Sequence, residues 1–174
     1  MVINTLIING IAIPSHARFD FSQTYEVIGG VSTFRTLNGN LNKQTRWESY
    51  STTISGGGNV PAPIQYIDRI NSVQLDCIAP MSGITNSLIF TIPRGFRDDI
   101  PPIAQGIDGD DFIFTPSELL GQNVTITPIP GVTKYIVSYY PRMDVFIIDL
   151  NDSINANSKE TGWSLTCEEI VSVL

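Results

Sequence analysis

The residues that could do chemistry in this chain are few and far apart. His16 is the only histidine, so a Ser-His-Asp or Cys-His relay would have to run through it. It follows Pro14-Ser15 in a polar segment, and no G-x-S-x-G elbow presents a nucleophile, so it reads as a loop histidine. Asp108-Gly109-Asp110-Asp111 has the composition of a calcium loop. Counted from Asp108, however, Phe112 and Ile113 fall where an EF-hand needs an oxygen ligand and a glycine. That run reads as a solvated acidic turn. Asp98-Asp99 and Glu168-Glu169 are adjacent pairs. Neighbours on a strand point to opposite faces, so neither pair can work together as acid and base. Cys77 and Cys167 are the only cysteines and lack a His or second Cys at metal spacing, which predicts two buried thiols outside any disulfide. Gly56-Gly57-Gly58 lacks the Gly-Lys-Ser/Thr ending of a phosphate loop and reads as a flexible connector.

The expectation is therefore a chain that is not an enzyme and takes no cofactor and no metal. A hydrolase would have only Asp108, Asp110 and His16 to work with. Trp47, Tyr50, Tyr66, Tyr139 and Tyr140 could make a carbohydrate-stacking face, although aromatics of β proteins more often fill a core or an interface.

Composition narrows the partners. Charged residues make up only 16% of the 174, below the roughly one quarter usual for soluble domains. The net charge is −7, and nearly all the acid lies beyond residue 60. The first 60 residues hold Arg18, Arg35, Lys43 and Arg46 against Asp20, Glu26 and Glu48. There is no basic stripe, so sequence-specific nucleic-acid binding is not expected. The longest apolar runs, Leu6-Ile7-Ile8 and Val145-Phe146-Ile147-Ile148, are too short to span a bilayer. With no signal-peptide pattern at the start, the chain is expected to be cytosolic when made, without membrane insertion.

The elements that would position these residues are strands. Asn38-Gly39 lies between the β-rich runs 31–37 and 41–54 and predicts a type I′ hairpin with positive φ at both residues. Further strands are expected at 22–29, with Gly29-Gly30 as exit, and at 72–79, 88–92, 123–127, 135–140, 145–150 and 163–170. Residues 3–13 predict a hairpin or bent strand around Asn9-Gly10. Val73, Leu75 and Cys77 should share one face, as should Trp163, Leu165 and Cys167. One short helix is expected over 63–70, from the Pro-rich start and the spacing of Ile64, Ile67 and Ile70. Residues 93–121 read as an irregular loop and 151–161 as a polar one. The fold class is all-β, a β-sandwich or partly open barrel with a long central loop, in a single domain over 1–174.

Two blocks carry a resemblance. Arg35-Thr36-Leu37-Asn38-Gly39, Lys43-Gln44-Thr45-Arg46-Trp47 and Thr52-Thr53-Ile54-Ser55-Gly56 look like a signature of small tail proteins from long-tailed bacteriophages. Tyr139-Tyr140-Pro141-Arg142-Met143 and Trp163-Ser164-Leu165-Thr166-Cys167-Glu168-Glu169 resemble the closing strands of the same group. The chain is thus similar to the distal-tail or tail-tip family. The resemblance implies a β-sandwich subunit of the virion tail, assembled in the host cytoplasm as a ring, six-fold in this family, that joins the tail tube to the hub. A tail-tube subunit and a carbohydrate-binding module are the alternatives. Segment 93–121 departs from the family pattern. Arg35, Lys43, Arg46, Trp47, Tyr50 and Trp163 are the candidate interface or core anchors, and whether Trp47 faces the core or a neighbouring subunit is left open.

Overall fold

The computed structural model describes residues 5–17, 19–155 and 160–170. Its strands are β1 (Ile7–Ile8), β2 (Ile11–Ala12), β3 (Phe19–Arg35), β4 (Leu41–Gly58), β5 (Val73–Asp76), β6 (Met81–Thr85), β7 (Ile89–Thr91), β8 (Ile103–Asp108), β9 (Asp111–Thr115), β10 (Ser117–Leu120), β11 (Asn123–Ile126), β12 (Lys134–Tyr139), β13 (Arg142–Ile154) and β14 (Thr161–Glu169). The protein is all-β, built of antiparallel sheets, and among the described residues no sheet closes into a barrel. The described chain packs as two compact units, 5–7 with 75–143 and 8–74 with 144–170.

The first unit is a small sandwich. One sheet runs β10-β11-β7 and the other β6-β12-β8-β9. β12 explains why they stack: Tyr135, Val137 and Tyr139 are buried while Lys134, Ile136 and Ser138 alternate outward. The inward set meets Ala104 of β8 and Val124 and Ile126 of β11 in one apolar core. Tyr135 keeps its hydroxyl satisfied there by accepting from the Ile129 N–H at 3.0 Å.

The second unit is dominated by the sheet β2-β1-β5-β13-β14-β4-β3. On β14, Trp163, Leu165 and Cys167 are buried on one face, as their spacing predicts, and Leu165 and Cys167 sit opposite the buried Ile54 and Thr52 of β4. Trp163 donates from Nε1 to the Ala17 carbonyl at 2.7 Å and meets Phe21 edge to face at 5.5 Å.

Several expectations are corrected. Residues 93–121 are not an irregular loop, because β8, β9 and β10 lie within them. Gly109, at φ +62°, starts a two-residue turn that pairs Asp108 with Asp111, so proline and charge in the sequence mask a hairpin. The helix over 63–70 reduces to one 3-10 turn, Pro63–Tyr66. Ile67 is already extended, and Ile70 is exposed because the Asp68 carboxylate accepts from the Ile70 and Asn71 N–H groups in a polar turn. Gly29-Gly30 does not end a strand but continues β3, where Gly30 stands opposite a bulge of β4 formed by Arg46 and Trp47. Gly56-Gly57-Gly58 is not a connector; it is the end of β4, paired with Trp163, Gly162 and Thr161. Glycine is required there, since a side chain on Gly56 would press on the Trp163 ring and one on Gly58 on the His16 carbonyl. The expected polar loop 151–161 loses Asn151–Ile154 to β13, and its residues 156–159 lie outside the described residues, as does Ile3 of the early hairpin and Arg18.

Turn chemistry is exchanged between two Asn-Gly pairs. Asn9 and Gly10 both have positive φ, +48° and +77°, and join β1 to β2 as a type I′ turn. At Asn38-Gly39 only the glycine does, at +80°, and Gly39 donates to the Thr36 carbonyl at 2.8 Å while Thr36 donates to Asn40. That is a three-residue loop with a glycine bulge, not the expected I′ turn.

Candidate functional site

The long hairpin of β3 and β4 is the most distinctive surface. β14 pairs with β4 only from Gly58 back to Ser51 and ends at Glu169, where Ser49 donates to the Glu169 carbonyl at 2.7 Å. Beyond that point β3 and β4 continue as a two-stranded arm, and every residue from 31 to 48 is exposed. At about 3.3 Å per residue the leg Val27–Arg35 spans about 30 Å.

Register sorts the arm into two faces. Val31 stands opposite Thr45, Thr33 opposite Lys43 and Arg35 opposite Leu41. One face therefore presents Val31 and Leu41 with Arg35 and Lys43, and the other Phe34 with Asn42 and Gln44; the register shift opposite Gly30 turns Trp47 to the Phe34 face. The Arg35 guanidinium donates to the Gly39 carbonyl at 3.0 Å and ties the strand end to the turn. Trp47 is 50% exposed, so it is not a core residue. Its indole covers Gly30, because a side chain there would meet Trp47 Nε1 at 2.6 Å.

The structure thus brings Arg35, Lys43, Arg46 and Trp47 together on one arm. Tyr50 stands at its base, half-buried opposite Val27, and Trp163 belongs to the core of the second unit. The five aromatics named for sugar stacking do not share a face, since Tyr139 is in the core of the first unit. Tyr66 is 90% exposed beside a groove of about 580 Å³ lined by Pro61, Pro63, Asp152 and Ile154.

The acidic pairs have partners that sequence spacing does not reveal. Asp99 takes two hydrogen bonds from the buried Arg97, at 2.9 and 2.6 Å, and Asp98 takes one from Arg142 at 2.8 Å. Arg97 also donates to the carbonyls of Thr5 and Cys77, at 2.8 and 3.1 Å, and Arg142 to Asp76 at 2.6 Å. The Arg97 hydrogen bonds hold the Asp99 carboxyl below its ordinary range, and Asp76 raises Arg142 further. These ion pairs fasten segments 76–77, 97–99 and 142 of the first unit. The only sequence signal for them was an excess of acid beside isolated arginines. His16 lies in a 3-10 turn, Ser15–Ala17, where its ring meets Phe19 edge to face. Cys77 and Cys167 are both buried and outside any disulfide. Among the described residues, no three His, Cys, Asp or Glu side chains cluster as metal ligands would, and no helix is long and apolar enough to cross a membrane.

No family model matches the chain, and no curated protein sequence matches it.

Proposed function

We propose that this protein is a structural subunit of a long-tailed phage tail that assembles with copies of itself into a ring, six-fold by the resemblance noted above, at the junction of tail tube and hub. The reading holds the chain to be non-enzymatic, without cofactor or metal, and to meet tube and hub proteins in the virion tail. The observation that carries it is the arm. A two-stranded hairpin standing clear of its sheet is marginal in water, and this one displays Val31, Phe34, Leu37, Leu41 and Trp47 to solvent. Such a display suits a surface that a neighbour covers. Purified protein examined by negative-stain microscopy and light scattering tests the reading: closed rings of several copies support it, and a monomer at every concentration counts against it. Long cylinders would assign the chain to the tube instead.

One observation favours carbohydrate binding as a second reading. The exposed Tyr66 ring lies beside the pair in which Gln65 donates to Asp152 at 2.8 Å, an aromatic platform with polar groups alongside. Binding on a glycan array that is lost in Tyr66→Ala would support it.

A further inference from the structure

We infer that the arm of one copy seats on the outer face of the sheet β6-β12-β8-β9 of a second copy. The inference rests on the assembly reading above and assigns the two surfaces that make the contact.

The acceptor follows from register. Ile84, Ile136, Gln105 and Phe114 form one row across the four strands, and Ile107 pairs with Phe112 in the next. These side chains stand on the face opposite the buried Ala104, Val137 and Tyr135. An antiparallel sheet with one covered face ordinarily turns polar residues to water. Here Ile84, Phe112 and Phe114 are 66%, 57% and 72% exposed, and Ile103 extends the same face. β9 is the outermost strand of that sheet, with no further strand paired to it among the described residues.

Charge identifies the occupant. Residues 27–50, which span the arm, carry Arg35, Lys43 and Arg46 against Glu48 alone. The β8–β9 turn at the end of the acceptor sheet carries Asp108, Asp110 and Asp111, with no cation in β8 or β9. Outside the arm the chain holds seven cations against sixteen acids, so the cationic arm is the exception. Lys134, in the row of Ile107 and Phe112, leaves the acids in excess. An apolar face edged by cations and an apolar face that ends in an acidic turn are complementary, and one chain carries both. Each copy then gives an arm and receives one. That is a heterologous contact, the kind that closes a ring when its rotation permits.

Charge exchange tests this, with association measured by analytical ultracentrifugation and folding by thermal melting. The variants are Arg35→Glu with Lys43→Glu, Asp110→Lys with Asp111→Lys, and a chain carrying all four. Each pair alone is expected to weaken self-association at least tenfold with an unchanged melt, and the four together to restore it to within about threefold. Carbodiimide crosslinking of mixed ¹⁴N and ¹⁵N wild-type chains should join Lys43 to residues 108–111 in mixed-isotope products. Association that ignores the arm reversal, or that the four-fold exchange fails to restore, overturns the inference and leaves the assembly reading standing; an arm that serves a different tail protein would give this result. A wild-type chain that stays monomeric throughout overturns both.

Discussion

At the scale of the residue, burial separates two tryptophans that the sequence treats alike. Trp163 is buried and hydrogen-bonded, so Trp163→Ala should cost about 3–5 kcal/mol in chemical denaturation. Trp47 is half-exposed on the arm, so Trp47→Ala should shift the midpoint of unfolding by no more than about 1 kcal/mol and act on assembly instead. Arg97 is the residue whose role was least legible. Its side chain is 1% exposed, and nothing in Phe96-Arg97-Asp98 marks a buried guanidinium. The partners that allow its burial, the Thr5 and Cys77 carbonyls, come from distant segments. Arg97→Ala should destabilise by about 3 kcal/mol, because it leaves those carbonyls and Asp99 unanswered. Asp99 adds a pH dependence. Its folded pKa lies below its unfolded value of about 3.9, so its contribution is complete above that value and is lost as pH falls through the folded one. Acid titration of stability should show this loss in the wild type and a smaller one in Asp99→Asn.

At the scale of the element, alternation was readable wherever one face is buried. Val73, Leu75 and Cys77, and Trp163, Leu165 and Cys167, all turn inward as their spacing requires. Glycine was read less well, because its meaning depends on what approaches it. The triple glycine has the composition of a linker, but the structure places Trp163, Thr161 and His16 against it. Gly58→Ala should therefore cost about 1–3 kcal/mol, measured by thermal or chemical unfolding, although a true connector would tolerate it. Gly39 is a different case: nothing lies near it, and only its φ of +80° demands glycine. Gly39→Val should raise amide exchange across residues 31–48 and leave the amides of β14 protected. The hairpin from β8 to β9 was missed because Pro101-Pro102 and the acidic run outweigh a short alternating pattern.

At the scale of the whole molecule, an all-β architecture was legible from many short strands separated by Gly and Pro. The arm was not legible as an arm, because pattern alone cannot tell a hairpin inside a sheet from one that outruns its neighbour. What decides it is that β14 stops at Glu169 while β3 and β4 continue. A two-stranded extension with apolar side chains in water is costly to hold alone and reasonable in an assembly. The arm is cationic and the rest of the chain acidic, so association through the arm should weaken as salt rises. Whether the chain forms rings, as proposed, is decided by its assembly state. The most direct measurement is the mass and outline of the purified protein across a concentration series, by light scattering and negative-stain microscopy. Closed rings of several copies are expected, and a particle of one chain's 19.1 kDa at every concentration would contradict a ring-forming subunit.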